Sequence, residues 1–142
     1  ESILVMKELW TKDESEFHGK YFIFPPVRSF PKPVQTPHPP VFLGGVATNV
    51  FKRVVAWGDG WMPVRADVEK VAQGRATMDE LAEAAGRDPR SIEISVYGAP
   101  PERDEIMKFG EAGANRAIVN LPSTLEGEGL EGLEQLAKKV LA

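Results

Sequence analysis

Cysteine is absent from this chain, which excludes disulfides, thiolate nucleophiles and zinc–thiolate sites. A cysteine-free composition fits a reducing compartment, so the expected location is the cytoplasm. Histidine is nearly absent, with only His18 and His38. Neither has a partner at metal-ligand spacing, so no metal site is expected. His38 lies between two prolines and reads as a loop residue rather than a base. Positive charge is not in excess, since 17 Lys and Arg against 21 Asp and Glu leave a net charge of −4. No basic run is present, so neither nucleic acid nor an anionic membrane is an expected partner. No apolar stretch approaches the ~20 residues that span a bilayer, and no signal peptide is visible. No nucleophile elbow or ordered Ser-His-Asp set appears. The first residue is Glu1 rather than Met, and it opens directly into a helical pattern. The expectation is a chain that begins inside a larger protein.

What is present is an ordinary globular composition, 42% hydrophobic and 27% charged over 142 residues, enough for one compact domain. Ile3, Met6, Leu9 and Trp10 fall at helical spacing, and the helix should end near Thr11. The run FHGKYFIF places Gly19 between two aromatic-rich halves, as a short hairpin or an extended crossing. Residues 25–40 hold seven of the twelve prolines and read as a stiff extended loop, with Val27, Phe30 and Val34 available to bury.

From Val41 the pattern turns regular. Strands are expected near 41–44, 59–63, 92–96 and 116–121. Between and after them run four helical stripes. Thr48 is expected to cap the first, ahead of Val50, Phe51, Val54 and Val55. Asp67 should cap the second, which Gly86 stops. A third covers 102–112 and is closed by Gly113. Leu130, Leu133, Leu136, Ala137 and Val140 mark the last. Strand–helix alternation implies parallel pairing through right-handed crossovers. Four such units fit either a small doubly wound sheet or half of a (β/α)8 barrel, since a whole barrel needs about 250 residues.

In parallel α/β folds, ligands gather at the C-terminal strand ends. At Gly44 and Gly45 the missing side chains allow backbone N–H groups to approach an anion, and Thr48 adds a hydroxyl at a helix start. A plain tight turn that needs positive φ explains the same residues. Trp61 and Met62 end the second strand with a flat aromatic and a soft thioether suited to a ring system, although Trp61 equally suits a packed core. Arg65 either binds an anion or pairs with a surface carboxylate. The loops Tyr97–Arg103 and Asn120–Thr124 occupy the same end. The acidic runs EGEGLEGLE and DELAEAAG read as solvated helix ends and faces. No catalytic residue is assigned.

Five motifs occur in order: a helix ending in Leu9-Trp10, the turn Gly19–Phe22, the loop PKPVQTPHPP, the strand VFLGG and the strand DGWMPV. Together with GRDPRSIEISV and FGEAGANRAIVNLP, this chain resembles the luciferase-like monooxygenase superfamily, most closely its coenzyme F420-dependent branch. The resemblance implies the C-terminal half of a (β/α)8 TIM barrel, as one partial domain over 1–142 (helix and Pro-rich loop over 1–40, four βα units over 41–142). It implies an oxidoreductase transferring hydride at the ring of coenzyme F420, or alternatively an FMN-dependent monooxygenase, with Gly44, Gly45 and Thr48 near the cofactor phosphate and Trp61, Met62 and Arg65 near the cavity. A small-molecule substrate is the expected partner of the full-length enzyme. The half without its first four βα units should be inactive alone. The alternative from a different class is a free-standing half-barrel that binds or scaffolds without catalysis. Inward residues such as Phe42, Trp61, Ile94 and Ile118 or their neighbours, whichever the register turns inward, would face water in a lone half. A homodimer or larger oligomer covering that face is therefore expected, unless the loop 25–40 folds over it.

Overall fold

The computed structural model describes residues 1–121 and 129–141, with the Thr48 side chain outside the described set. Contacts divide the chain into two compact units, Glu1–Pro40 and Val41–Ala142.

In the first unit, helix α1 (Ser2–Thr11) precedes strands β1 (Ser15–His18) and β2 (Ile23–Val27), which pair antiparallel. The alternation expected of FHGKYFIF is thus a hairpin, with Phe17 opposite Phe24 and their rings 6.3 Å apart. The turn closes through a 2.8 Å bond from the Gly19 N–H to the Phe22 carbonyl. The Glu1 carboxylate accepts from the backbone N–H groups of Tyr21 (2.7 Å), Lys20 (2.8 Å) and Phe22 (3.2 Å). Those donors, the Tyr21 N–H foremost, hold its carboxyl below the ordinary range.

Three expectations are corrected in this unit. The buried position of α1 is Val5, and Met6 is exposed. Pro25 and Pro26 belong to β2 rather than to a loop, which a two-stranded sheet permits because each strand has an unpaired edge. Val27, Phe30 and Val34 are exposed rather than buried, Val34 at 96%. Polar and aromatic contacts hold the proline-rich segment instead. Lys32 Nζ donates to the carbonyls of Leu9 (2.8 Å) and Lys12 at the C-terminal end of α1, where the helix dipole favours a cation. The His38 ring lies 6.1 Å from that of Trp10.

The second unit is the four-fold βα alternation: β3 (Phe42–Leu43), α2 (Thr48–Trp57), β4 (Gly60–Trp61), α3 (Val68–Ala84), β5 (Glu93–Tyr97), α4 (Arg103–Glu111), β6 (Arg116–Ile118) and α5 (Gly129–Leu141). The strands form one parallel sheet in the order β3-β4-β5-β6. The first two strands are shorter than expected, and on the β5 side Pro63 has no N–H with which to continue the ladder from β4. Single bonds extend the pairing beyond them, from Asp59 N–H to the Val41 carbonyl and from Met62 N–H to the Leu43 carbonyl, both 2.8 Å.

Capping follows chemistry at one helix and departs from it at another. The Asp67 carboxylate accepts from the Lys70 N–H at 2.8 Å and starts α3. Lys70 also pairs with it by side chain, so the Asp67 carboxyl sits below its usual range. Helix α2, by contrast, has Ala47 as its N-cap and no side-chain cap, so Thr48 is its first residue rather than its cap. Gly86 (φ 69°) and Gly113 (φ 94°) take the left-handed conformation just past α3 and α4, as expected of helix stops.

Val71, Gly74, Met78 and Ala82 form the buried stripe of α3. With Val50, Val54 and Val55 of α2 they cover Trp61, Ile94 and Val96 of the sheet. Trp61 and Ile94 therefore lie on the helix-covered face, at 1% and 0% exposure, and not on the open one as expected. Register explains this: Leu43, Trp61 and Ile94 share one face, while Phe42, Gly60 and Glu93 share the other. The face opposite the helices carries Phe42, Tyr97 and Ile118 together with Glu93, Ser95 and Arg116.

Arg87 joins α2 to the segment after α3. Its Nη1 donates to the last-turn carbonyls of Val54 (3.0 Å) and Val55 (2.9 Å), and its Nε to Ser91 Oγ at 3.0 Å. Replacing Arg87 with alanine should lower stability by about 1.5–3 kcal/mol, the usual worth of hydrogen bonds from a charged group. Urea unfolding should show a lower midpoint at unchanged slope, and an unchanged midpoint would contradict that role.

Candidate functional site at the C-terminal strand ends

Gly44 and Gly45 follow β3 and open into α2. Gly45 has φ +100°, a conformation that side chains rarely adopt. A Cβ built at Gly45 meets nothing within 4 Å, and one at Gly44 meets only the Met62 carbonyl at 3.6 Å. The loop is thus exposed and bare, as close approach of a ligand to backbone requires. The start of α2 adds to it. With no side-chain cap and no acidic residue in its first turn, its positive dipole end is left to solvent or to an anion, although the Val50 N–H is bonded to the Ala47 carbonyl at 2.8 Å.

Trp61 fixes this loop from beneath. Its indole Nε1 donates to the Gly45 carbonyl at 2.6 Å. The ring meets Phe51 of α2 edge-on at 5.0 Å, and on the α3 side it lies where a Cβ on Gly74 would be, with Cη2 at 2.7 Å. The ring is 1% exposed, and through its indole bond Trp61 supports the loop from the core side. Met62, on the opposite face of the strand, is half-buried and adjoins Gly44. A cavity of about 160 Å³ between α2 and α3 is lined by Val46, Phe51, Trp61 and Gly74, among others. It is smaller than the few hundred Å³ of a small-molecule site.

Arg65 lies elsewhere along the same end. It is the only non-glycine with positive φ among the described residues, at 49°. Its N–H donates to the Tyr97 carbonyl at 2.8 Å, which fastens it to β5. The structure thus groups Gly44, Gly45, Trp61 and Met62 at β3 and β4 and sets Arg65 at β5. Thr48 begins α2, and its side chain falls outside the described residues. His18 is exposed beside Glu16. Among the described residues, no three His, Cys, Asp or Glu side chains stand close enough to hold a metal.

Residues 1–105 match the family described as luciferase-like monooxygenase. The chain belongs to this family. A protein of Mycobacterium tuberculosis described only as uncharacterized is 30% identical over 143 residues, covering 99% of this chain and 49% of its own length. The FMNH2-dependent dimethylsulfone monooxygenase of Pseudomonas putida is 31% identical over 135 residues, covering 93% of this chain and 34% of its own. The coenzyme F420-dependent tetrahydromethanopterin reductase of Methanopyrus kandleri superimposes with a TM-score of 0.76 at 12% identity, over 96% of this chain and 60% of that one. This luciferase-like chain spans about half the length of the mycobacterial relative. Its sheet and helices correspond to a partial barrel of the family fold. Among its described residues, no helix is long and apolar enough to cross a membrane.

Three residues of the luciferase-like site escape sequence reasoning. Gly74 stands inside a helical pattern, and only its place against the Trp61 ring explains it. Gly98 (φ 74°) follows β5 and adjoins Arg65, and Asn120 follows β6 and adjoins Gly98. Their signal is position alone, a polar or glycine residue just past a strand.

Two substitutions test the support beneath the loop. Trp61→Phe keeps the ring but removes the indole N–H, and should cost about 1 kcal/mol while speeding hydrogen exchange across Gly44–Ala47. Gly74→Val forces the ring aside at about 1–3 kcal/mol, the usual penalty of overpacking. Exchange in the loop unchanged by either variant would show that Trp61 does not hold it.

Proposed function

We propose that this chain is the C-terminal half of a coenzyme F420-dependent oxidoreductase, in which Gly44, Gly45 and the start of α2 hold the phosphate of the cofactor. The observation that carries the reading is the bare, open Gly44–Gly45 loop ahead of an uncapped helix start. A helix N-terminus offers directed N–H donors and a positive dipole end to an oxyanion, and the absent side chains let the group approach. When bound, the cofactor supplies a ring that carries hydride. Family membership supports oxidoreductase chemistry. The Methanopyrus neighbour, which bears coenzyme F420 in its name, supports the choice of cofactor. FMN is the second reading, favoured by the 31% identity to the FMNH2-dependent enzyme of Pseudomonas. The phosphate donors serve either cofactor alike.

Each residue then has a limited task. Gly44, Gly45 and Thr48 bind the phosphate end. Trp61 keeps the Gly45 carbonyl turned toward the core. Met62 adjoins Gly44 at the end of β4. Arg65 lines a separate cavity with Asp67 and Gly98. No proton-transferring group of this half is identified, and the half alone is read as inactive. The cysteine-free composition supports a cytoplasmic place of work. For assembly, we infer that the open sheet face, with Phe42, Tyr97 and Ile118, is covered in a homodimer when the chain stands alone.

In the full-length parent of this reading, Gly45→Leu should weaken coenzyme F420 or FMN by about tenfold or more, since positive φ and close approach are both lost. Fluorescence titration with each cofactor measures this and ranks the two, and an unchanged affinity would remove the site. For the isolated chain, sedimentation at micromolar concentration should show a dimer, and a well-folded monomer would refute the covered face.

A further inference from the structure

We propose that Arg65 and Asn120, brought together across Gly98, form a donor pair for an oxyanion of the substrate, a carboxylate or a phosphate ester. This rests on the reading above, in which the cofactor phosphate has its own donors at Gly44 and Gly45.

The pair is assembled from three strand ends. Arg65 follows β4, but its N–H is bound to the Tyr97 carbonyl at 2.8 Å, and the Val64–Tyr97 bridge carries the ladder past Pro63. Its left-handed φ of 49° is uncommon for a residue with a side chain. Gly98 follows β5, where its N–H donates to the Ile118 carbonyl at 2.9 Å. A Cβ on Gly98 would lie 3.2 Å from Arg65 Cγ, 4.0 Å from Arg65 Nε and 3.7 Å from Asn120 Nδ2. The guanidinium of Arg65 and the carboxamide of Asn120 therefore flank one point above a residue that has no side chain to fill it.

The charge balance singles out Arg65. It lines a cavity of about 860 Å³ with Asp67, Glu69, Glu105 and Lys108. Asp67 is paired with Lys70 at 2.8 Å and Lys108 with Glu105 at 2.6 Å. Glu69 accepts from Gln73 at 3.2 Å. Among the described residues, no carboxylate pairs with Arg65, and its guanidinium donates to none of them. A planar cation held on a fixed backbone, with an amide donor beside it, matches the geometry of a carboxylate or phosphate. Glu69 and Glu105 on the cavity wall oppose a second negative charge, so a singly placed oxyanion is the ligand this site suits.

Position separates this pair from the cofactor donors. Gly44 follows β3 and Arg65 is fastened to β5, two strands away in the sheet. Neighbouring strands lie about 4.8 Å apart, so the two groups of donors stand about 10 Å apart, beyond the reach of one phosphate.

The test is an inorganic phosphate titration of the isotope-labelled chain by NMR, repeated with succinate, reading Arg65 Nε–H, the Asn120 amide and the Gly44, Gly45 and Asn49 amides. Saturable shifts at Arg65 and Asn120 are expected. R65Q should abolish the Asn120 shift. N120D, which keeps the shape but adds a charge, should weaken the site about tenfold. Both variants should leave the Gly44 and Gly45 responses intact. If Gly44 and Gly45 respond while Arg65 and Asn120 do not, the pair is refuted and the cofactor reading stands. If only Arg65 and Asn120 respond, the pair stands and the cofactor reading fails. The second arm titrates coenzyme F420 and FMN into the full-length parent and its R65Q variant. Unchanged cofactor affinity supports a substrate oxyanion, and a tenfold loss overturns it.

Discussion

The hydrogen bond from the Trp61 indole to the Gly45 carbonyl organises the second unit. One side chain there meets a loop and two helices. Its N–H holds the loop after β3, its ring edge meets Phe51 of α2, and its far side fills the space left by Gly74 in α3. Its backbone stands between Leu43 and Ile94 in the sheet. A rigid bicyclic ring fixes the spacing of two helices better than a flexible aliphatic could, because it has two rotatable bonds and a defined outline. The exposed Gly44–Gly45 loop is therefore set by the core beneath it. The site surface and the largest buried side chain among the described residues share one constraint.

The order of elements in the second unit is legible in the sequence because each signal is local. Asp67 ahead of an apolar stripe, Gly86 and Gly113 after one, and Val-rich runs between them act within a few residues. Which face of the sheet a residue takes is not legible. A two-residue strand such as β3 or β4 contains no alternation to count, so Trp61 could be assigned to either side. Only the packing of α2 and α3 decides. Thr48 fails as a cap for a related reason. Capping preference is worth only about 1 kcal/mol, so it does not by itself fix which residue starts the helix.

The candidate site divides in the same way. Gly44 and Gly45 are visible as a pair of residues that few other positions would require. Arg65 is visible as a charge, but its meaning depends on Gly98 and Asn120, which lie 33 and 55 positions further along. No pattern of short period connects them. What joins them is the parallel sheet, which brings the residue after each strand to one edge. The strand ends collect functional groups because topology places them there, and the sequence records each group alone.

The strictly sequential strand order has a consequence for how the second unit is made. Each of β4, β5 and β6 pairs with the strand synthesised before it, and every crossover is a single helix. No strand waits for a partner still inside the ribosome. The loops to be closed stay short, so the entropy lost at each step is small. The sheet can grow by one strand at a time as the polypeptide emerges, with each new helix laid over apolar side chains already in place.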